Sequence, residues 1–161
     1  MTSQTAALSR RGAWARAAVV LAVVLAADQL VKALVTGSLE RGEVRDIIWF
    51  ADLVNTRNTG VAFGQLQNGG VIVSVVIAFA LAALLVFFAR NAHRPLVWLP
   101  TGMLLGGALG NIVDRVREGA VIDYLKLPHW PAFNVADASI TVGVVILLVV
   151  IERGDRAARR G

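Results

Sequence analysis

The chain has 161 residues, of which 57% are hydrophobic and only 17% are charged. Ordinary soluble proteins carry roughly 25% charged residues, and a domain of this size cannot bury so large an apolar fraction in its own interior. The composition therefore excludes a typical soluble globular domain and indicates a membrane protein. The chain has no Cys, which excludes disulfides, zinc-thiolate sites, iron–sulfur clusters and thiol nucleophiles.

Four segments are long and apolar enough to be transmembrane helices, which need about 20 mostly apolar residues. Their approximate bounds are 17–35, 71–89, 95–113 and 133–151. The first span contains Asp28 and Lys32, and the last contains Asp137, so ionisable groups lie inside membrane-length segments. We predict one all-α membrane domain over residues 1–161, with four transmembrane helices and a small extracytoplasmic β-structure.

The basic residues predict how the spans are oriented. Loops 36–69 and 114–132 mix basic and acidic residues, whereas the other links and both ends are rich in arginine. Lys and Arg are enriched on the cytoplasmic side, so we predict cytoplasmic termini and two extracytoplasmic loops. The net charge of +5 then reflects topology and anionic lipid, and nucleic acid is not an expected partner. The arginines assigned to the cytoplasm are Arg10, Arg11, Arg16, Arg90, Arg94, Arg153, Arg156, Arg159 and Arg160.

A cleavable signal peptide is the competing interpretation of the first span. Basic residues followed by the apolar run Ala17 to Ala27 match the first two regions of such a peptide. Apolar sequence resumes after Lys32, however, and removal of this span would leave a less consistent charge pattern. We therefore favour a retained helix, and sequencing of the mature N-terminus distinguishes the two.

The first outer loop is predicted to form a short hairpin that rests on the membrane. Val44 to Val54 is rich in Ile, Val and aromatic residues, and Asn55 to Gly64 supplies Asn and Gly turn residues. The polar tail 152–161 is expected to be disordered. The four tryptophans flank the spans, as interfacial anchors do: Trp14, Trp49, Trp98 and Trp130.

Ionisable and small residues inside the spans suggest internal contacts. Asp28 and Lys32 lie four residues apart on one helix face, where they can neutralise each other. Gly102, Gly106 and Gly110 recur at four-residue intervals and form a ridge that lets another helix approach closely. Asn111, Asp114 and Arg115 follow the ridge, and either a polar site or a helix end with a local salt bridge explains them.

Asp123 and Asp137 are the candidate catalytic pair. Asp123 lies in the β-favouring segment Val121–Leu125, and Asp137 lies at the start of the last span, three residues after the candidate N-cap Asn134. The intervening residues allow the chain to fold back on itself. Two adjacent carboxylates cannot both ionise cheaply, so one holds a proton and the other can accept one from water. The alternatives are a helix N-terminal charge for Asp137 and an ordinary loop acid for Asp123.

Other chemistries find less support in the sequence. His93 and His129 are predicted to lie on opposite sides of the membrane, which disfavours a zinc site, and no metal or cofactor is expected. Ser139 has no evident base, and no nucleotide-binding motif is present. Two other functional classes remain open: a small transporter or proton-conducting protein, and a non-enzymatic assembly subunit.

The sequence resembles the bacterial lipoprotein signal peptidases, also called signal peptidase II, from the first predicted span to the fourth. Five short segments support the resemblance, in matching order and in matching positions relative to the spans. They are Asp28-Gln29-Leu30-Val31-Lys32, Asn58-Thr59-Gly60-Val61-Ala62-Phe63, Gly106-Gly107-Ala108-Leu109-Gly110-Asn111-Ile112-Val113-Asp114-Arg115, Val121-Ile122-Asp123-Tyr124 and Phe133-Asn134-Val135-Ala136-Asp137.

The resemblance implies an intramembrane aspartyl endopeptidase of the bacterial cytoplasmic membrane. It implies a prolipoprotein substrate with a diacylglyceryl group on the Cys that follows the scissile bond, and an active site at the extracytoplasmic face. By similarity Asp123 and Asp137 are the catalytic dyad. The implied partners are this substrate and membrane lipids, and we expect a monomer. The residues implied to bind substrate or support the site are Asn58, Asn111, Arg115, Asn134, Asp28 and Lys32.

Overall fold

The computed structural model describes residues 9–60 and 69–159. The described residues form four α-helices and one small three-stranded sheet. Residues 61–63 of the second resembling segment and Arg160 of the tail lie outside the described residues. In chain order the elements are α1 (Arg10–Ser38), β1 (Val44–Ile48), β2 (Ala51–Asn58), α2 (Gly69–Asn91), α3 (Trp98–Glu118), β3 (Val121–Lys126) and α4 (Val135–Ala158).

Two of the helices are long and apolar enough to cross a membrane. They are α1 and the segment Val135–Arg156 of α4, and a shorter apolar stretch covers Val75–Asn91 of α2. Large apolar side chains such as Val23, Leu34 and Leu148 remain exposed on these helices. An outward apolar helix surface is stable in lipid and costly in water, so the exposure agrees with the composition.

The glycine ridge of α3 packs against α1, which confirms its predicted packing role. A Cβ added at Gly102 would lie 2.6 Å from the carbonyl oxygen of Ala17, and one added at Gly106 would lie 2.8 Å from that of Leu21. Neither distance is compatible with a real side chain. The missing side chains therefore bring α1 and α3 together, and this contact places the polar residues of both helices near the sheet.

A separate apolar core holds the end of the bundle that lies away from the sheet. Phe88 of α2 is fully buried there, among Ala13 and Ala17 of α1 and Val97 before α3. The indole of Trp14 packs edge-on against the Phe88 ring, with centroids 4.7 Å apart. This core fixes α2 to the other helices at that end.

The sheet has the order β1-β2-β3, with antiparallel neighbours. The predicted hairpin is present, but its turn lies at Trp49–Phe50, and residues 55–58 of the predicted turn segment belong to β2. Trp and Phe are not typical turn residues, so the pattern of Val44 to Val54 does not indicate a turn within this segment. A register shift between Asp46 and Ile48 accompanies the turn. Trp49 lies at the tip of the hairpin and is 94% exposed.

Two predicted boundaries need correction. The third predicted span begins at Pro95, but the chain turns at 95–97, where Leu96 has a φ of +63°, and α3 begins at Trp98. The tail was expected to be disordered, but α4 continues to Ala158. Ion pairs support this extension, because Glu152 binds Arg156 one turn later at 2.5 Å and Asp155 binds Arg94 at 3.4 Å.

Candidate active site

Asp123 lies on β3, the strand that follows α3 closely. Its side chain is buried and accepts two amide hydrogen bonds, from Asn58 Nδ2 at 2.9 Å and from Asn134 Nδ2 at 2.8 Å. Asn58 is the last residue of β2, which pairs with β3 in register Thr56 to Asp123. The antiparallel pairing therefore brings Asn58 and Asp123 together, although they are far apart in sequence.

Asp137 lies in the first turn of α4, where Asn134 is the predicted N-cap. Asn134 Oδ1 accepts the backbone N–H of Asp137 at 2.9 Å, which confirms the cap. In return, Asp137 Oδ2 accepts the backbone N–H of Asn134 at 3.3 Å. Asp137 Oδ1 accepts from a second donor, Nδ2 of Asn111 on α3, at 2.8 Å. Helix start and neighbouring helix together fix this carboxylate.

Asn134 binds both aspartates, so the structure brings the two predicted residues to one site. Its side-chain amide also donates to Asn111 Oδ1 at 3.1 Å, which links the two asparagines. The chain between the aspartates is closed by backbone hydrogen bonds between Leu125 and Phe133, both 2.9 Å long. This closure returns the chain from β3 to the start of α4 and produces the predicted fold-back.

Burial changes the acidity of Asp123. Desolvation raises the pKa of this carboxyl from its ordinary value to about 6, and the negative charge of Asp137 acts in the same direction. The amides of Asn58 and Asn134 and the ammonium of Lys32 oppose the rise, since each favours the anion. Asp123 therefore holds a proton into a pH range where an exposed Asp is fully ionised.

A buried ion cluster, formed by Asp28, Lys32 and Asp114, lies next to the asparagines. Lys32 Nζ is 2.7 Å from Asp28 Oδ2 and 2.6 Å from Asp114 Oδ2. The pair predicted within α1 is thus present, and it has a second carboxylate partner on α3. The local salt bridge considered for Asp114 and Arg115 is not what the structure shows, because the α1–α3 contact places Lys32 against Asp114 instead. Lys32 Nζ also donates to Asn111 Oδ1 at 3.2 Å.

Arg115 stands apart from the two aspartates within the described part of the chain. Its Nη1 donates to the backbone carbonyl of Asn111 at 3.3 Å, and its buried Nε has no hydrogen-bond partner among the described residues. The remaining predicted residues surround the aspartates directly or through one neighbour. Gln29 is not among the predicted site residues, yet its Nε2 donates to Asp114 Oδ1 at 3.0 Å.

The arrangement suits acid–base chemistry. One carboxyl group is buried and has a pKa raised to about 6, while the other accepts two hydrogen bonds at a helix N-terminus, where negative charge is favoured. Such a pair can deprotonate a water molecule and protonate a carbonyl oxygen or an amine. The amides of Asn58, Asn111 and Asn134 hold the two carboxyl groups in place.

Comparisons with known proteins show which family the chain belongs to. The family described as Signal peptidase (SPase) II matches residues 20–152. A lipoprotein signal peptidase of Halothermothrix orenii is 34% identical over 86% of this chain and 96% of its own length. One of Moorella thermoacetica is 42% identical over 78% of this chain and 85% of its own length.

Two solved structures of bacterial membrane enzymes have a similar fold. A bacterial membrane enzyme determined by the in meso method has a TM-score of 0.78 and 29% identity, over 84% of this chain and 91% of that one. A second such structure has a TM-score of 0.77 at the same identity, over 85% and 87% of the two chains. The family match over residues 20–152 and the relatives that match most of the chain agree, and the chain belongs to the signal peptidase II family.

Proposed function

We propose that the protein is an intramembrane aspartyl endopeptidase that removes the signal peptide from prolipoproteins. The observation that best supports the aspartyl chemistry is the shared contact of Asp123 and Asp137 with Asn134. The relatives named lipoprotein signal peptidase support the substrate class. Cleavage takes place on the N-terminal side of a Cys that bears a diacylglyceryl group.

In the proposed mechanism the two carboxyl groups share one proton. Asp123 holds the proton, consistent with its raised pKa, and hydrogen bonds to the scissile carbonyl oxygen. Ionised Asp137 accepts a proton from water as the water oxygen attacks the carbonyl carbon. The resulting tetrahedral intermediate is stabilised by the Asp123 proton, and transfer of a proton to the leaving nitrogen breaks the C–N bond. Asn111 and Asn134 keep Asp137 in place through these steps.

The proposed topology places this site at the outer surface of the bacterial cytoplasmic membrane. Four helices span the bilayer, both termini are cytoplasmic, and the sheet lies on the extracytoplasmic side. The distribution of arginine supports this orientation, since the ends and the link between α2 and α3 are rich in arginine. The four groups that donate to the two carboxylates belong to Asn58, Asn111 and Asn134 of this same chain, and we propose a monomer.

A lipid-modified substrate needs no separate cofactor to reach the site. Its acyl chains dissolve in the same bilayer as the helices, so the substrate can approach laterally within the membrane. The enzyme then has to place only the glyceride-linked Cys beside the aspartates. A diacylglyceryl-modified precursor should therefore be cleaved faster than the same precursor without lipid, and equal cleavage would remove the lipid dependence from the proposal.

The decisive experiment compares purified wild type with Asp123→Asn and Asp137→Asn on a lipid-modified prolipoprotein. Each amide preserves the shape of the side chain but cannot exchange a proton, so both variants should lose cleavage. Asp155→Asn is the matched control, because Asp155 is exposed near the end of α4 that is remote from the dyad. Normal turnover by either dyad variant, in protein that is correctly inserted and folded, contradicts the mechanism.

A further inference from the structure

The ion cluster is buried more completely than any charged group normally is. The side chains of Asp28, Lys32 and Asp114 are 0%, 2% and 3% exposed. A buried charge is tolerated only where partners compensate for its lost hydration. One ammonium faces two carboxylates here, so the carboxylates need further donors. Two backbone N–H groups, of Ile122 and Ala136, are these further donors.

Each carboxylate of the cluster accepts the backbone N–H that directly precedes one of the two aspartates. Asp114 Oδ2 accepts the N–H of Ile122 at 3.0 Å, and Ile122 precedes Asp123. Asp28 Oδ1 accepts the N–H of Ala136 at 2.9 Å, and Ala136 precedes Asp137. A single ammonium between the two carboxylates thus links the backbones of both reactive residues.

Tyr124 adds a direct connection between the strand and the helix of the dyad. Its hydroxyl oxygen accepts the N–H of Val135, the first residue of α4, at 3.0 Å. The first amides of a helix have no partner within the helix. In α4 the N–H groups of Val135, Ala136 and Asp137 are satisfied by Tyr124, Asp28 and Asn134, respectively. The start of this helix is therefore held from β3 and α1.

Lys32 also sets the orientation of Asn111. Its ammonium donates to Asn111 Oδ1 at 3.2 Å, so the other end of that amide, Nδ2, faces Asp137 Oδ1 at 2.8 Å. A flipped amide would bring Nδ2 against the ammonium and an oxygen against the carboxylate, and both contacts are repulsive. The positive charge of Lys32 therefore determines which group Asn111 presents to Asp137.

We infer that Asp114 and Tyr124, acting with the Asp28–Lys32 pair, are positioning residues that fix the separation and the proton sharing of Asp123 and Asp137. The inference rests on the proposed function, since it assigns a role within that reaction. None of the four residues has to touch substrate. They act through the backbone on either side of the dyad and through the charge that the ion cluster places beside it.

The charges give variants of opposite expected effect. The charged groups that act on Asp123 are Asp137 of α4 and Lys32 of α1, while β2 presents the neutral amide of Asn58. Lys32 lowers the pKa of Asp123, so Lys32→Met should raise it. Asp114 neutralises Lys32, so Asp114→Asn strengthens the remaining positive field and should lower the pKa of Asp123. Above its pKa, Asp123 cannot supply the proton.

The test is the pH dependence of kcat and KM for cleavage of a lipid-modified prolipoprotein by the purified full chain. We expect the alkaline limb to move up by about one pH unit in Lys32→Met and down by a similar amount in Asp114→Asn. In Tyr124→Phe, which removes only a hydroxyl group, kcat should fall about threefold to tenfold with KM unchanged. Asp155→Asn should match wild type in all three quantities.

A purely structural role predicts a different pattern. It would lower the amount of folded protein without moving the alkaline limb, or would move it in the same direction for both charge variants. Either result, or wild-type kcat in Tyr124→Phe, overturns the inference. If Lys32→Met does not fold, the alkaline limb of Asp114→Asn and the kcat of Tyr124→Phe still test the inference. Lack of cleavage by wild type refutes the proposed function instead, so the two failures are distinguishable.

Discussion

Gly110 offers a sensitive test of the contact between α1 and α3 at the ion cluster. A Cβ at this position would lie 2.5 Å from Asp28 Oδ2 and 3.1 Å from Asp28 Cγ, whereas ordinary contact begins at 3.4 Å. In Gly110→Ala the carboxylate must therefore withdraw by about 0.9 Å, the difference between the first and last of these distances. Asp28 is fully buried, so it has little room in which to move.

The withdrawal weakens the hydrogen bonds of Asp28 to Lys32, at 2.7 Å, and to the Ala136 N–H, at 2.9 Å. Loss of one hydrogen bond to a charged group costs about 1.5–3 kcal/mol, and replacing Gly by Ala in a helix returns about 1 kcal/mol. We expect a net loss of about 0.5–2 kcal/mol in the free energy of unfolding. Because Ala136 precedes Asp137, displacement of the N-terminal end of α4 should move Asp137 and lower kcat about 10- to 100-fold.

Gly37→Ala is the matched control, since an added Cβ at Gly37 in α1 meets nothing within 4 Å. Both variants are purified in detergent, and their thermal unfolding and their cleavage of a lipid-modified prolipoprotein are measured side by side. Gly37→Ala should cleave at the wild-type rate and unfold at or slightly above the wild-type temperature. If Gly110→Ala behaves like Gly37→Ala in both assays, the steric reasoning is wrong.

Three further predictions address the dyad, the remote core and the hairpin. Asn58→Ala removes a donor that favours the anion of Asp123, so the pKa of Asp123 should rise further and the alkaline limb of the cleavage profile should move to higher pH; an unmoved limb contradicts this. Phe88→Ala should lower the free energy of unfolding by about 3–5 kcal/mol, whereas Phe79→Ala, at a side chain that is 74% exposed, should change detergent-solubilised protein little. In a variant that retains Trp49 as its one tryptophan, brominated lipids should quench the fluorescence, and full emission would place the hairpin tip in water.

Local sequence signals predicted the features that depend on neighbouring residues. The β-favouring segment at 121–125 lies within β3, and Asn134 caps α4 as its spacing from Asp137 indicated. The Asp28–Lys32 pair lies within one helix and follows from a four-residue interval. Each of these contacts joins residues that are close in sequence, where residue type and spacing suffice.

Contacts between distant segments could not be read from one sequence. The pairing of Lys32 with Asp114 depends on how α1 crosses α3, and the absent side chain of Gly110 makes the space for Asp28. Gly110 looked like one member of a packing ridge, and no sequence pattern related it to a carboxylate. The turn at Trp49–Phe50 was missed for another reason, because β-favouring residues continue through it without Gly, Pro or Asn.

The backbone hydrogen bonds between Leu125 and Phe133 separate the outer segment 127–132 from the candidate site at Asp123 and Asp137. Asp123 and Asp137, the candidate catalytic residues, lie on the inner side of this closure, and the outer segment 127–132 is mostly exposed. The outer segment can therefore change in length or accept a fluorescent label while the two carboxyl groups keep their spacing. It is a convenient attachment point for reporters, and for tethers to a surface, that leaves the working parts of the molecule intact.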